Sequence, residues 1–275
     1  MKVPPSQSWL ALMIGNSRLH WAWFVNSTLR QTWDISYLSP QAIAALLTPT
    51  SAPSFELIPD EAYDLIPLIL QSKSPLWIAS VVPAQTALWQ ICPQARVLSL
   101  GQVPLKGLYP SLGIDRALAL LGASKTLGFP VLVIDAGTAL TFTAIDQQAQ
   151  FFGGAIVAGL QTQLRSLTQN TAVPSVNSHS AVLPDRWAVT TPDSIDSGVI
   201  YTLLASIRDY SEAWLERFPG GAIALTGGDR DILFQHLQTQ FPALAAQITV
   251  DPNLIFGGMQ TVCSTQQPQF IGFSS

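Results

Sequence analysis

A chain of 275 residues with 48% hydrophobic and 11% charged side chains has ample material for a core, and its length suggests two domains. A net charge of -4 and the lack of any long Lys/Arg cluster exclude the basic face that nucleic-acid binding needs. So few charges must also cover a large surface, which points to apolar area buried against a second copy of the chain.

Strand-like runs come at 9–14, 18–25, 76–82, 96–100, 130–134, 140–145, 151–157 and 221–226, apolar or alternating and bounded by Gly, Pro, Asn or Ser. Helices are expected at 40–47, at 60–71 despite Pro67, and at 84–91. The clearest helix is IDRALALLGASKTL at 114–127, with apolar residues at helical spacing and Gly128 as its stop. Another runs from about 192 to 217, opened by Thr191 as cap and Pro192 in the first turn, and a last one follows 229–240. Residues 165–187, rich in Ser, Thr, Asn and Pro, read as a long loop or flap. Strands mixed with helices make the class α/β.

MIGNSRLHWAWF (13–24) can be laid over DAGTALTFTAID (135–146). Both follow an apolar run, carry Gly at the third position and continue as an alternating strand, which suggests two copies of one hairpin-led domain. In the second copy Asp135 stands at a strand end and Ala136-Gly137-Thr138 makes the turn. Gly137 lets backbone N–H groups approach phosphate oxygens, Thr138 adds a hydroxyl, and Asp135 can hold a cation against them. The same residues also suit a plain hairpin with Asp at its turn. In the first copy Met13 occupies the place of the acid, and Trp21 and Trp23 share one strand face, which favours packing.

In LGIDRALALL, Gly113 breaks the preceding segment and Asp115 and Arg116 fall in the first helical turn. A carboxylate there is helped by the helix dipole, but a cation is not, so Arg116 implies an anionic partner, a substrate carboxylate or a nearby acid. An aspartate beside it could act as base toward a substrate hydroxyl. In ALTGGD (224–229), Gly227 and Gly228 fit a surface where a nucleoside lies on bare backbone, although a strand-to-helix turn with Asp229 as cap explains the stretch better when it is taken alone. His20, His179 and His236 share no ligand spacing with one another or with Cys92 and Cys263, so no zinc site is expected. The N-terminal MKVPPSQSW has no apolar stretch long enough for a signal peptide, and the apolar runs 129–134 and 151–160 are too short to span a membrane. These features set the expectation of a cytoplasmic protein with reduced thiols and no membrane partner.

Taken in order, GNS (15–17), GIDR (113–116), DAGTA (135–139), GGAIVAGL (153–160), TTPDSIDSG (190–198) and LTGGD (225–229) resemble type III pantothenate kinase over nearly the whole chain. The resemblance implies two ribonuclease-H-like domains, the duplication of the sugar kinase, chaperone and actin superfamily, with ATP in a cleft between them. The boundary is placed at 1–112 and 113–275. It implies ATP-dependent phosphorylation of pantothenate to 4'-phosphopantothenate at the start of coenzyme A synthesis, by a homodimer needing Mg²⁺ and a monovalent cation, K⁺ or NH₄⁺. By the same likeness Asp115 is the general base, and Gly113, Ile114, Asp115, Arg116 and Tyr109 line the substrate, with Thr191 closing the pocket across the dimer interface. Met13, Ile14, Gly15, Asn16, Ser17, Arg18, Leu19 and His20, with Gly137, Thr138, Gly227 and Gly228, correspond to the ATP contacts, and Asp135 to the cation-binding acid.

Three residues depart from the family pattern: Met13 replaces the usual acid, Thr190 an asparagine and Ala158 a proline. The loss of the first acid keeps open a binding or regulatory relative without turnover, and because fold alone does not choose substrate, a kinase for another small hydroxy acid stays open too.

Overall fold

The computed structural model describes residues 8–47, 74–169, 180 and 182–266. They form two units. The first takes its residues from Met1–Pro104, Tyr109–Leu118 and Ile255–Ser275, the second from Leu105–Leu108 and Ala119–Leu254.

In the first unit β1 (Ser8–Ile14), β2 (Leu19–Val25), β3 (Thr28–Ile35), β4 (Leu76–Ser80) and β5 (Ala95–Val97) form a sheet of order β3-β2-β1-β4-β5. The first three strands are antiparallel neighbours, and β4 and β5 join in parallel. Helices α1 (Pro40–Leu47) and α2 (Pro83–Trp89) fall in the same span, and the final helix of the described chain, α8 (Leu254–Gln266), returns to this unit. Leu10, Leu12 and Ile14 of β1, Trp21 of β2, Ile43 and Leu46 of α1 and Trp89 of α2 build its core. Trp21 meets Trp89 edge to face at 5.0 Å, and Trp23 packs on the same cluster, as their shared strand face predicts.

The second unit repeats the plan with β6 (Val131–Ala136), β7 (Ala139–Ile145), β8 (Phe151–Ala158), β9 (Ala222–Thr226) and β10 (Ile248–Val250) in the order β10-β9-β6-β7-β8. The strand directions match as well, with β6, β7 and β8 antiparallel and β9 and β10 joined in parallel. The overlay of 13–24 on 135–146 is thus a duplication of whole sheets. Its two turns differ by one residue: four residues lie between the pair Ile14↔Leu19, three between Ala136↔Leu140. The core gathers Ile134, Phe142, Leu160 and Leu164 with Leu203, Leu204, Ile207 and Trp214 of the long helix α5 (Thr191–Arg217).

Helix α3 (Ile114–Leu127) has the expected limits, and Gly128 ends it at φ +82 with its N–H on the Ser124 carbonyl at 3.0 Å. Several elements depart from the sequence reading. Residues 165–168, expected in a loop, belong to helix α4 (Leu160–Thr168), whose buried Leu160 and Leu164 are one turn apart. The cap of α5 is Thr190, with Thr191 inside the helix. Strand β5 is shorter than the expected 96–100, because a 3₁₀ turn at Leu100–Gln102 follows it. Strands β3 and β10, the short helix α7 (Pro242–Ala245) and α8 are additional elements. The expected helix at 60–71 lies outside the described residues, as does His179.

Within the first unit α8 crosses α3 at a glycine. A methyl group on Gly258 would stand 2.1 Å from the Leu118 carbonyl oxygen and 2.7 Å from its carbon. Those neighbours are backbone and have nowhere to go. Gly258→Ala is therefore expected to destabilise the protein by about 1–3 kcal/mol through overpacking, read as a lower urea midpoint with an unchanged slope.

Candidate active site

The first unit contributes the start of α3. Gly113 opens the helix, with its carbonyl accepting from the Ala117 N–H at 3.2 Å. A methyl on Gly113 would lie 2.4 Å from Asp115 Oδ1, so the missing side chain is the space the carboxylate occupies. Asp115 Oδ1 accepts the Arg116 N–H at 2.8 Å. Burial pushes the Asp115 carboxyl above the usual aspartate range, outweighing that N–H and the Arg116 charge, which both pull it down. Arg116 is buried at 8% exposure, and its Nη1 donates to the Tyr109 hydroxyl at 3.1 Å. Tyr109, Asp115 and Arg116, three of the predicted substrate residues, thus meet at one helix start, with Ile114 buried beneath them.

The same unit carries the GNS turn. Gly15 N–H donates to the Arg18 carbonyl at 3.1 Å, and Tyr37 Oη donates to the Gly15 carbonyl. Asn16, Ser17 and Arg18 stand in solvent, whereas Ile14 and Leu19 are core residues. Met13 is 2% exposed, so the side chain that stands for an acid is inside the unit. His20 lies across from it on β2, half-exposed, with Nδ1 2.5 Å from Asp34 Oδ1.

In the second unit Asp135 is the fifth residue of β6, partly exposed, between Thr226 on β9 and Thr141 on β7. The turn that follows it is closed by bare backbone. A methyl on Gly159 would be 2.0 Å from the Gly137 oxygen, and one on Gly227 2.5 Å from Ala136 and from Asp135 Oδ1. Gly227 also holds φ +96, a region side chains avoid. Thr138 is tied by its carbonyl to the Gly159 N–H at 3.0 Å and to the Thr162 hydroxyl at 2.6 Å. Gly228, by contrast, faces open space. Asp229 precedes α6 (Arg230–Gln240) without a side-chain cap bond, while its N–H donates to the Ala136 carbonyl at 2.8 Å, so the acid's neighbourhood is a strut for the turn.

A divalent cation accompanies phosphates with few protein ligands and several waters. Asp135 fits such a role: Thr141 Oγ1, in the same cross-strand row, is buried and has no hydrogen-bond partner. Among the described residues no group of three or more His, Cys, Asp and Glu side chains could hold a metal.

Thr191 lies on an exposed stretch of the second unit, lining a 390 Å³ groove with Leu167, Ser194, Ile195, Gly198 and Thr202. Thr190 Oγ1 donates to Asp193 Oδ2 at 2.6 Å and accepts from Asp193 N at 3.3 Å. A threonine does here what an asparagine would do as a cap, which accounts physically for that departure. Ala158 ends β8 opposite Ala139 and offers its carbonyl to Gln163 Nε2 at 2.7 Å.

Arg230, which the sequence reading passed over, sits at a helix start as Arg116 does. Its charge is met by Asp231 at 3.1 Å and the Gly227 carbonyl at 2.9 Å. The same unfavourable place in the first helical turn signalled it.

A family model described as type III pantothenate kinase matches residues 9–213. The type III pantothenate kinase of Nostoc sp. strain PCC 7120 is 50% identical over 260 residues, 92% of this chain and 94% of that protein. The one from Synechocystis sp. strain PCC 6803 is 44% identical over 262 residues, covering 94% and 92%. Among solved structures, the activator of the 2-hydroxyisocaproyl-CoA dehydratase from Clostridium difficile, with bound ADPNP, aligns with a TM-score of 0.50 at 8% identity, covering 94% of this chain and 97% of that one. The last is a likeness of fold.

The raised Asp115 carboxyl has a consequence for stability. A carboxyl whose folded pKa exceeds its unfolded one stabilises the fold only while protonated, and this is lost as pH rises through the folded value. At neutral pH the ionised Asp115 is therefore a cost. Asp115→Asn, which keeps the bond to the Arg116 N–H, is expected to raise the urea midpoint at pH 7.5. The gain should vanish below the ordinary aspartate range.

Proposed function

The chain belongs to the type III pantothenate kinase family, and we propose that it phosphorylates pantothenate with residues at Gly113 of the first unit and at Asp135 of the second. The reaction takes the γ-phosphoryl group of ATP to the primary hydroxyl of pantothenate, giving 4'-phosphopantothenate and ADP, the first step toward coenzyme A. Its fold is the duplicated ribonuclease-H-like plan of sugar kinases and actin.

The observation that carries the residue assignment is the Asp115 carboxylate, seated in the notch that Gly113 leaves and pushed up by burial. A base works best when its pKa approaches the working pH. Asp115 takes the proton of the substrate hydroxyl as that oxygen bonds to the γ-phosphorus and the bridge to the β-phosphate breaks. Arg116, its planar donors steadied by Tyr109, takes the pantothenate carboxylate. Gly15, Asn16 and Ser17, with Gly137 and Thr138, hold the phosphates, and Gly228 leaves backbone open for the nucleoside. Asp135 is the residue that would hold Mg²⁺, which spreads the charge of the transferred group. A monovalent cation, K⁺ or NH₄⁺, completes the assignment.

The chain acts as a homodimer through the exposed apolar face of the second unit. Trp187 and Val189, 88% and 97% exposed, precede Thr191 in the chain by four and two residues, and Thr191 reaches the partner's pantothenate pocket from the groove it lines.

A coupled assay with ATP, Mg²⁺, K⁺ and pantothenate should give ADP and 4'-phosphopantothenate, and Asp115→Ala should lower kcat by at least about 10²-fold. The acid limb of the wild-type rate profile should lie above the ordinary aspartate range; a limb at that range, or an active Asp115→Ala, rejects the assignment. In analytical ultracentrifugation the wild type should sediment as a dimer and the double variant Trp187→Asp, Val189→Asp as a monomer.

A further inference from the structure

The matched rows of the two sheets differ in where their charge stands. In the second unit the row reads Thr226, Asp135, Thr141, Ile156 across β9, β6, β7 and β8. In the first the equivalent row reads Ala79, Met13, His20, Asp34 across β4, β1, β2 and β3. The acid has left the central strand and reappears two strands away, with a histidine between it and the buried methionine. Residues directly opposite across strands share a face, so Met13, His20 and Asp34 lie side by side.

Their geometry is directional. Nδ1 of His20 is 2.5 Å from Asp34 Oδ1, which fixes the ring and leaves Nε2 at its far side. A methyl placed on Gly15 would be 3.4 Å from that Nε2 and 3.6 Å from Cδ2. The imidazole edge therefore stands beside the GNS turn, and it is 38% exposed on that side chain. The groups facing it from adjoining elements are few. Met13 and Ala79 are apolar, Asp34 is the carboxylate of the row, Arg18 is exposed at the end of the turn, and Tyr37 reaches the Gly15 carbonyl with a hydroxyl that burial keeps protonated.

We infer that His20, oriented by Asp34, binds a nucleotide phosphate oxygen at the Gly15 turn as an imidazolium, replacing a carboxylate-held cation at this position by a direct cationic donor. The inference rests on the kinase reading above for the nucleotide that occupies the turn. With His20 neutral, the pair carries the Asp34 charge and repels phosphate. With His20 protonated, the pair is neutral overall and presents an Nε2–H donor, the stronger charge-assisted kind of hydrogen bond. Phosphate and proton therefore bind His20 together, and a buried Met13 is compatible with this because the position no longer has to face a metal.

The test measures ATP binding directly by calorimetry at saturating Mg²⁺, from about pH 6 to 8.5, beside the KM values for ATP and pantothenate. His20→Gln serves as the reference that cancels the titration of ATP itself. Wild type should bind ATP about tenfold more tightly than His20→Gln at the acid end, and the advantage should fade as pH rises. Asp34→Asn, which removes the anion beside the ring, should move that fade to lower pH, a shift that a purely structural role for the pair would not produce. The KM for pantothenate should stay as in wild type. His20→Gln with wild-type ATP affinity across the range overturns the inference, and so does an Asp34→Asn profile identical to wild type. His20-dependent ATP binding without pantothenate turnover would support this inference and reject the kinase reading. Turnover with no dependence on His20 would do the reverse.

Discussion

Each unit depends on one central strand that is paired on both edges and buried on both faces. The segments LALMI of β1 and VLVI of β6 can be continuous apolar runs for that reason, since neither edge nor face is left for water. Such a strand can place a polar group only near its ends, where the sheet stops and the chain must turn. In β6 that place holds Asp135, the single partly exposed residue of the strand. Everything assigned to phosphate in the second unit follows within three residues of it. The turn is then fixed by contacts only glycine permits, from Gly159 on one side and Gly227 on the other. Binding groups built on such a frame have little freedom to lose when a ligand arrives.

The helix start at Gly113 solves a different problem. In the proposed reaction it has to hold a carboxylate that is dry enough to act as a base yet reachable by a hydroxyl. The glycine supplies the space and the Arg116 N–H supplies one hydrogen bond, while burial opposes ionisation and wins. The cost falls on the fold and the benefit on the chemistry.

Most of the architecture was legible in the residues because its central strands and α3 have strong, uninterrupted patterns. What escaped did so for identifiable reasons. Strand β3 is an edge strand with mostly exposed residues, TLRQTWDI, and lacks clean alternation. Strand β10 is three residues long. Helix α8 carries Gly257-Gly258 in its interior, which reads as a breaker until the close approach to Leu118 is known. Helix α4 has leucines at 160, 164 and 167, a helical spacing masked by the Ser and Thr around it. The candidate site divides along the same line. Asp115, Arg116 and Asp135 stand at strand or helix ends and could be picked out singly. The partnership of His20 with Asp34 could not, because it exists only through the register of β2 on β3, the strand the pattern did not reveal.

The return of α8 to the first unit bears on how the protein is made. Ribosomal synthesis delivers residues 119–254 of the second unit before the helix that carries Met259, Val262 and Cys263 into the first unit's interior. The second unit can thus complete its five-stranded sheet on a nascent chain whose first unit still lacks a wall. Vectorial synthesis therefore finishes the amino-terminal unit last, and a premature stop before residue 254 strikes the half of the molecule that was translated first.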